Sequence, residues 1–408
     1  MKNIGILTYH CIPNFGAQLQ TLSTVGYLRK HGYNPIVLNW FPEDLEAYYH
    51  NRVPKIQFDC QYFFSQEEMP VSRLCRTIED IANEIQRLSL DGIIIGSDAL
   101  FDYTPKSLRY NISLRRLKKI PIHTTSNHTL PNPFWGSFND VLEQRLPIAG
   151  LSISSQNMPY SKLSKDENKE ISRLINNFDV LTVRDQWTKD MVVKVAGRND
   201  VKITPDPVFS LNENIEMYIT KEEICKRFNL PENYVLISFL YSLLPDSFVN
   251  SIIRQIENLT CFECVSIPMP DNLKRFDTKH VVNHPITAVE WYYLIKYSGG
   301  YIGERMHPIV VALHNSVPFF CFDQYGTRKV IIPRLLSKYI PGSSKVYDIL
   351  DKSGFLENMC SYEKMQDISP EYVVEKFLSF DKDKCSDFAV KMQNAYNSAM
   401  NELMRAFN

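Results

Sequence analysis

YIGERMHPIVVALHNSVPFFCFD, at residues 301–323, predicts two strands joined by one helix. Its apolar ends have the composition of strands, and Pro308 fits the first turn of a helix, where the missing N–H of proline costs nothing. A strand that returns parallel through a helix is the basic unit of an open α/β sheet. The ERMH loop then places Arg305 and His307 at the carboxyl end of a strand, beside the start of the helix.

The same alternation of strands and helices covers most of the chain. At the N-terminus, NIGILTY and NPIVLNW are predicted strands around the helix AQLQTLSTVGYLRKHG. The segment VKITPDPVFSL (201–211) interrupts the alternation, because prolines on both sides of Asp206 exclude a central strand and fit a connection between domains. We therefore predict an α/β protein with two Rossmann-like domains facing a cleft, at residues 1–207 and 208–380, and a long helix at 381–408 that packs back on them.

Two segments do not follow the alternation. Residues 42–75 are rich in aromatic side chains and are predicted to be an irregular excursion over one sheet edge. Residues 103–140 contain many turn-forming residues and two histidines, and are predicted to form an insertion or flap. Between them, TIEDIANEIQRLSL (77–90) has the apolar spacing of an amphipathic helix, and GIIIGSD has the composition of a buried strand.

The overall composition is that of an ordinary globular protein. The 408 residues carry a formal net charge of -1, which gives no reason to expect nucleic acid or an acidic membrane surface as a partner. The N-terminus lacks the apolar core and cleavage site of a signal peptide, and no apolar stretch approaches the length of a membrane span. We predict a cytoplasmic protein, at most peripheral at the inner face of a membrane.

The nine cysteines are scattered along the chain, as expected of reduced thiols. Cys261 and Cys264 have the spacing found in zinc and redox motifs, but the sequence offers no second pair to complete a tetrahedral site. We expect these two side chains to lie in the core, and we predict no metal and no cofactor.

Polar residues follow several of the predicted strands, at the edge of a parallel sheet where ligands usually bind. Gly16 precedes the first helix, where free N–H groups favour an anion, although one glycine at a turn is equally compatible with chain geometry alone. Asp98 ends the GIIIGSD strand and could act as a functional carboxylate or as a helix cap. Arg184 ends a short strand and could bind a ligand or pair with the adjacent Asp185.

Arg305 and His307 form the strongest candidate, because a guanidinium and an imidazole coincide there with the start of a helix. Side chains of these types beside free backbone N–H groups form a receptor for phosphate or carboxylate. A charge buried without a partner would be costly, which also favours a bound anion at this position. His314 lies two turns along the same predicted helix and is expected to be a packed or rim histidine.

The chain as a whole resembles the polysaccharide pyruvyl transferase family, over roughly residues 1–330. The resemblance depends on the order and spacing of several motifs, which are ILTYH with NFGAQLQ, GSDALFD, NPFWGSF, VRDQWT, PDPVF and ERMHPIVVALHNSVPFFCFDQYG. Two positions depart from the family pattern, namely Phe101, where tryptophan is frequent, and Gly150 within the strand IAGLSIS. Both positions lie in the N-terminal half, where the acceptor is expected.

The resemblance implies a two-domain fold like that of the GT-B glycosyltransferases. It also implies transfer of a pyruvyl group from phosphoenolpyruvate to hydroxyls of a sugar or lipid-linked oligosaccharide. The product would be a cyclic ketal in bacterial exopolysaccharide, capsule or cell-wall polysaccharide. By motif, the donor-binding residues are Arg184, Arg305 and His307, and the aspartate of GSD is Asp98.

These residues agree physically with the implied chemistry. Phosphoenolpyruvate carries a phosphate and a carboxylate, so we expect Arg184 and Arg305 to bind it from the two sides of the cleft. His307 is the predicted general acid for the methylene carbon, held protonated by a neighbouring anion, and Asp98 is predicted to accept the proton of the attacking hydroxyl. The acceptor-binding residues are predicted at His10, Asn14 and Gly16.

Two other functions remain open at this point. A nucleotide-sugar glycosyltransferase of the same architecture would use Arg305 to bind a diphosphate. A sugar-binding or scaffold protein without catalytic activity is disfavoured, because Arg305, His307 and Asp98 are all present. The acceptor sugar, and the contribution of residues 42–75 and 103–140 to its binding, stay unassigned.

Overall fold

Two parallel β-sheets flanked by helices make up the computed structural model. It describes residues 1–113, 118–122, 124–239, 244–271, 274–323, 326–328 and 338–407. The end of the strand predicted at 233–241, and His123 of the predicted flap, lie outside the described residues. The prediction of an α/β protein with two sheets is confirmed.

The N-terminal sheet has seven parallel strands. In spatial order they are β3 (Val71–Cys75), β2 (Asn34–Trp40), β1 (Asn3–Leu7), β4 (Gly92–Asp98), β7 (Ile148–Ile153), β8 (Val180–Val183) and β9 (Lys202–Ile203). An antiparallel hairpin of β5 (Tyr110–Ser113) and β6 (Lys118–Pro121) lies between β4 and β7 in the chain. The helices are α1 (Phe15–Lys30), α2 (Glu43–His50), α3 (Lys55–Glu68), α4 (Ile78–Arg87), α5 (Lys165–Asn176), α6 (Gln186–Ala196) and α7 (Leu211–Asn214).

The second sheet has six parallel strands. In spatial order they are β12 (His280–Val281), β11 (Glu263–Ser266), β10 (Tyr234–Ser238), β13 (Gly300–Gly303), β14 (Phe319–Asp323) and β17 (Met359–Ser361). A short antiparallel pair is formed by β15 (Thr327–Arg328) and β16 (Lys338–Tyr339). The helices are α8 (Lys221–Phe228), α9 (Asp246–Leu259), α10 (Ala288–Lys296), α11 (Met306–His314), α12 (Lys345–Ser353), α13 (Pro370–Leu378) and α14 (Lys382–Met404).

Both sheets place strand ends where a ligand can reach them. The strand order reverses between β1 and β4 in the first sheet and between β10 and β13 in the second. Crevices outside the carboxyl ends of strands at such reversals are the usual ligand sites of open α/β sheets. All seven residues of β4 are buried, as expected of a strand that is covered on both faces. The polar residues that follow β4 and β13 therefore leave the core at these crevices.

An apolar core joins the two halves. Phe15 of α1 stacks on Trp291 of α10 with ring centroids 5.1 Å apart. The predicted C-terminal helix is present as α14, and its Tyr396 meets Tyr27 edge-on at 6.0 Å. The first sheet ends at residue 203 and the second begins at residue 234, so the predicted boundary at 207 lies between them; the boundary itself stays a prediction. No helix within the described part of the chain combines the length and apolarity needed to cross a bilayer.

Three local expectations are wrong. Residues 42–75 are not irregular, because they form two helices and an edge strand. Their aromatic side chains Phe58 and Tyr62 stack on Phe41, which immediately precedes the segment. The helix predicted from Pro308 begins two residues earlier, since Arg305 is its N-cap. Cys264 is buried as expected, but Cys261 follows the end of α9 and is exposed.

Candidate active site

Polar side chains from both sheets meet at a cavity of about 360 Å³, called the main cavity below. Asp98 reaches it from the end of β4, and Arg305 and His307 reach it from the junction of β13 with α11. Asn14, the N-cap of α1, and Lys345, the first residue of α12, line it as well. The fold therefore brings four of the predicted site residues, Asn14, Asp98, Arg305 and His307, into one cavity.

Arg184 lies behind Asp98 rather than on the wall of the main cavity. Its Nη2 is 3.7 Å from Oδ1 of Asp98, and its Nη1 donates to Oδ2 of Asp206 at 3.0 Å. The side chain is 4% exposed, and its Nε and Nη2 atoms have no hydrogen-bond partner among the residues that the structure describes. It opens on a second cavity of about 240 Å³, and Lys345 lines both cavities. Arg184 and Arg305 thus face adjoining cavities, whereas the sequence led us to expect them in one.

The His307 imidazole is held by two buried polar side chains. Gln20 of α1 donates from Nε2 to Oδ2 of Asp206 at 2.6 Å, and the same nitrogen lies 3.3 Å from Nε2 of His307. The Asp206 carboxylate is 0% exposed and lies 4.0 Å from Nε2 of His307. Because an amide N–H can only donate, Nε2 of His307 is the acceptor in this arrangement and Nδ1 carries the proton.

The start of α1 approaches this imidazole closely because residue 16 is glycine. A Cβ atom at Gly16 would lie 2.0 Å from Cγ and 2.2 Å from Nδ1 of His307. Heavy atoms cannot approach so closely, so only glycine fits here while the ring keeps its position. The structure therefore places Gly16 against the histidine, where it provides room for the ring.

The charges around the main cavity set the protonation of its two acid–base groups. The pKa of His307 is lowered to about 4, mainly by burial; Asp98 and Asp206 oppose this change, whereas Arg184 and Lys345 add to it. Burial alone raises the pKa of Asp98, but attraction to His307, Arg184 and Lys345 outweighs it and lowers that pKa. At neutral pH the imidazole is neutral and the carboxylate is ionised. The neighbouring carboxylates alone do not hold His307 protonated, so the expected protonation by a neighbouring anion stays a prediction for the donor-bound protein.

Two of the residues at the cavity have a backbone conformation that favours glycine. The φ angles of Asp98 and Arg305 are +104° and +93°. Such conformations cost about 1–3 kcal/mol each and persist where the surroundings enforce them, which is frequent at functional sites. For Asp98, Oδ1 accepts from the backbone N–H of Ala99 at 2.8 Å, and Oδ2 accepts from Nδ2 of Asn14 at 3.3 Å.

The Arg305 guanidinium is accessible from the main cavity. Its Nη2 is 3.1 Å from Oδ2 of Asp271, and the two side chains are 34% and 41% exposed. Both residues line the cavity. Ion pairs this exposed contribute little stability, so an incoming anion can compete with Asp271 for the guanidinium at low cost.

Only one of the three predicted acceptor-binding residues lines the main cavity. Asn14 does so, whereas Gly16 lies against His307. His10 is 0% exposed, with Nδ1 3.2 Å from the carbonyl oxygen of Thr8 and Nε2 3.1 Å from Oδ1 of Asn39. The structure therefore places His10 in the packed interior, away from the residues that could touch an acceptor.

Several residues of the site were missed by reasoning from the sequence. Gln20 and Asp206, which contact His307, stand within the motifs NFGAQLQ and PDPVF, so their positions gave a signal that was not used. Lys345 gave no signal, because it comes from a helix far along the chain. The two segments left unassigned also contribute to the wall of the main cavity, with Tyr48, Tyr49, Arg52, Val53, Asn127 and His128.

The fold and the site together define a GT-B-like α/β protein with ionisable residues in its cleft. The putative UDP-N-acetylglucosamine 2-epimerase of Listeria monocytogenes superposes over 100% of this chain and 96% of its own, with a TM-score of 0.52 and 10% identity. A second UDP-N-acetylglucosamine 2-epimerase superposes over 99% of this chain and 95% of its own, with a TM-score of 0.55 and 9% identity. The UDP-GlcNAc 2-epimerase of Methanocaldococcus jannaschii superposes over 99% of this chain and 100% of its own, with a TM-score of 0.52 and 11% identity. Identities this low indicate a shared fold alone.

A family model gives the more specific assignment. The model of the polysaccharide pyruvyl transferase family matches residues 14–324, and the chain belongs to this family. The match includes Asp98, Arg184, Arg305 and His307. No sequence among the curated proteins matches the chain at a significant level. Membership of the family indicates a pyruvyl transferase that acts on polysaccharide.

Proposed function

We propose that this protein transfers a pyruvyl group from phosphoenolpyruvate to two hydroxyls of a sugar acceptor, forming a cyclic ketal during bacterial exopolysaccharide, capsule or cell-wall polysaccharide synthesis. One observation supports the proposal most directly. An imidazole (His307), a carboxylate (Asp98) and two cationic side chains (Arg305 and Lys345) line the same cavity. Family membership supports the pyruvyl group and the saccharide. No cofactor is needed for this reaction, and the acceptor is a sugar or a lipid-linked oligosaccharide.

The charges suit a donor with two anionic ends. Phosphoenolpyruvate carries a phosphate and a carboxylate on a three-carbon unit, and Arg305 and Lys345 are cationic groups that line the same cavity as His307. Arg184 acts from behind Asp98 and adds positive charge without direct exposure to the main cavity. We assign the donor to the part of the main cavity between Arg305, Lys345 and His307.

Ketal formation has a defined proton balance. His307 gives a proton to the methylene carbon, and an acceptor oxygen bonds to the central carbon of the donor. A second acceptor hydroxyl then closes the ring as the bond to the phosphate oxygen breaks, and phosphate leaves with the electron pair. Of the two hydroxyl protons, one restores the general acid and the other leaves on phosphate. The Asp98 carboxylate faces the same cavity and stabilises the positive charge that develops at the central carbon.

The general-acid role requires His307 to gain a proton when the donor binds. Its pKa of about 4 keeps the imidazole neutral at pH 7. Two additional anionic groups close to the ring favour the charged form and raise the pKa. Donor binding to the wild-type protein at pH 7 is therefore expected to take up a proton at His307. Calorimetric titrations with phosphoenolpyruvate in three buffers of different ionisation enthalpy measure the number of protons taken up.

The His307→Gln variant is the control for this measurement. Glutamine cannot gain the proton, so the difference between the two proteins isolates His307 from the ionisation of the donor phosphate itself. On binding phosphoenolpyruvate, the wild type is expected to gain as much as one proton more than the variant. Equal uptake by both proteins would remove His307 as the proton carrier.

The arginine at the cavity gives a prediction about donor affinity. Arg305→Lys is expected to weaken phosphoenolpyruvate binding about 10-fold or more, because a point charge replaces a planar fork of N–H donors. Titration calorimetry measures the dissociation constant. Arg227→Lys is the matched control, since Arg227 pairs with Glu290 outside the main cavity and its loss is expected to leave affinity unchanged.

The same titrations separate the proposal from its rival. A nucleotide-sugar glycosyltransferase would bind uridine or guanosine diphosphate at Arg305 and would ignore phosphoenolpyruvate. If a nucleoside diphosphate binds, Arg305→Lys weakens that binding and phosphoenolpyruvate does not bind, the donor assignment is wrong. A sugar-binding protein without activity would release no phosphate with any acceptor.

A further inference from the structure

His128 brings a second imidazole to the main cavity, which His307 also lines. It ends the short helical turn Ser126–His128, within the segment 103–140 that the proposed function leaves unassigned. The side chain lines the cavity together with Asp98 and Tyr49 and is 32% exposed. This imidazole therefore faces the space that remains for an acceptor once the donor lies beside His307.

The contacts of His128 fix which nitrogen carries its proton. Nδ1 lies 3.0 Å from the backbone carbonyl oxygen of Asp102 and 3.5 Å from Oδ2 of the same residue. Both atoms are acceptors, so Nδ1 is the protonated nitrogen. Nε2 is then an acceptor, and Nδ2 of Asn127 lies 3.3 Å from it. A carboxylate beside one nitrogen and an acceptor site on the other is the arrangement that orients a histidine as a base, and an acceptor hydroxyl would take the place of Asn127 as the donor to Nε2.

Asp98 is less suited to take a proton from the acceptor. One of its oxygens accepts from the backbone N–H of Ala99 and the other from Asn14, and Arg184 lies 3.7 Å away. These contacts stabilise the ionised form, and a carboxylate that holds its charge this firmly is a weak base. Ketal formation nevertheless requires two hydroxyl protons to leave.

We propose that His128, oriented by Asp102, is the general base that removes a proton from an acceptor hydroxyl. The inference rests on the proposed function. The O–H electron pair forms the new bond to the central carbon of the donor, and the proton passes to Nε2. The resulting imidazolium lies beside the Asp102 carboxylate, which stabilises it. The proton then leaves to solvent, or to phosphate as the ketal closes.

The same wall offers a surface for the sugar. Tyr48 and Tyr49 of α2 line the cavity beside His128, and the Arg52 guanidinium lies 4.1 Å from the centroid of the Tyr48 ring. Aromatic faces and an arginine are typical of sites that bind hydroxyl-rich ligands through apolar faces and hydrogen bonds. A saccharide on this surface would present its hydroxyls to His128 on one side and the donor on the other.

Two substitutions at His128 separate a base from a packing residue. His128→Asn keeps an N–H where Nδ1 stands, so the contact with the Asp102 carbonyl is retained, but the accepting nitrogen is lost. His128→Gln removes the same base through a different side-chain geometry. Both variants are expected to lower kcat about 10²–10⁴-fold, the usual effect of losing a general base, while the calorimetric dissociation constant of phosphoenolpyruvate stays within twofold of wild type. The assay is phosphate release with p-nitrophenyl hexosides that offer 4,6- and vicinal diols.

His50→Gln is the matched control. Nε2 of His50 also lies near a carboxylate, 3.8 Å from Oε1 of Glu46, but His50 does not line the main cavity. The kcat of the His50→Gln variant is therefore expected to equal that of the wild type. As a positioning residue, Asp102 is tested by Asp102→Asn, which is expected to lower kcat without changing KM for the donor. Full activity of His128→Asn would overturn the inference, since the retained N–H would then be all that matters.

The outcomes also distinguish this inference from the function on which it rests. If the wild-type protein turns over phosphoenolpyruvate and the His128 variants match it, only the assignment of the base is wrong. If the wild type neither binds phosphoenolpyruvate nor releases phosphate with any of the hexosides, the proposed function fails and the inference fails with it.

Discussion

His307→Gln is expected to lower kcat for pyruvyl transfer about 10²–10⁴-fold, the usual effect of removing a general acid. The substitution should leave the fold intact for a specific reason. The imidazole is 11% exposed and neutral at pH 7, and glutamine is also neutral and of similar size. Its amide can still contact the buried Asp206 and Gln20. Phosphate release measures kcat, and the melting temperature of the variant reports its stability.

His314→Gln provides a control on the same helix. His314 lies two turns beyond His307 in α11, and within the described part of the chain neither of its ring nitrogens has a hydrogen-bond partner. Its ring packs against Phe209 with centroids 6.1 Å apart, so it contributes to packing and not to the main cavity. We expect normal kcat with a modest change in melting temperature. Normal turnover by His307→Gln itself would exclude His307 from the reaction.

The sequence was sufficient to predict where the polar residues leave the sheets. Asp98 follows a strand of which every residue is buried, and Arg305 follows β13 in the second sheet. The carboxyl ends of the parallel strands lie at one edge of each sheet, so residues that follow them leave their sheet at that edge, whereas the way the two edges face each other depends on packing between the halves. Local composition decides such positions, and composition is visible in the sequence.

Other features depend on packing between distant elements and could not be predicted. The low pKa of His307 comes from burial, which the sequence does not reveal. Arg184 was expected to face Arg305 across one cleft, but its ion pairs with Asp98 and Asp206 hold it behind the cavity wall. Lys345 enters from α12, which no motif connects with the site.

The segment 42–75 shows the same limit for secondary structure. Its aromatic side chains have no periodicity that predicts a helix, but Phe58 and Tyr62 lie one turn apart on α3 and both stack on Phe41. Tertiary contacts of this kind override local preference. The consequence for function is that α2, held against this cluster, contributes Tyr48 and Tyr49 to the wall of the main cavity.

The contact between Gly16 and His307 connects the two halves at the point where the chemistry is proposed. Gly16 belongs to α1 in the first half and His307 to α11 in the second, and a Cβ at Gly16 would lie 2.0 Å from the imidazole. Alanine is otherwise the better residue within a helix, by about 1 kcal/mol. Any loss on Gly16→Ala must therefore come from the clash, since local preference acts in the opposite direction.

Gly16→Ala is expected to lower kcat at least 100-fold and the free energy of unfolding by about 1–3 kcal/mol, the usual cost of an added atom in a packed site. Either the ring leaves Gln20 and Asp206, or the start of α1 moves. Gly342→Ala is the control, because no described residue other than its chain neighbours has an atom within 4 Å of the added Cβ. Chemical denaturation and phosphate release measure the two effects.

A double-mutant cycle assigns the loss to the imidazole itself. In a His307→Ala background the ring is absent, so adding a methyl group at Gly16 should cost less than 0.5 kcal/mol, within the range found for sites that do not interact. The two single substitutions would then be strongly non-additive in stability. If the Gly16→Ala penalty is the same with and without the ring, the clash is with other atoms. The close approach of the two halves at His307 would then not be what requires glycine at the start of α1.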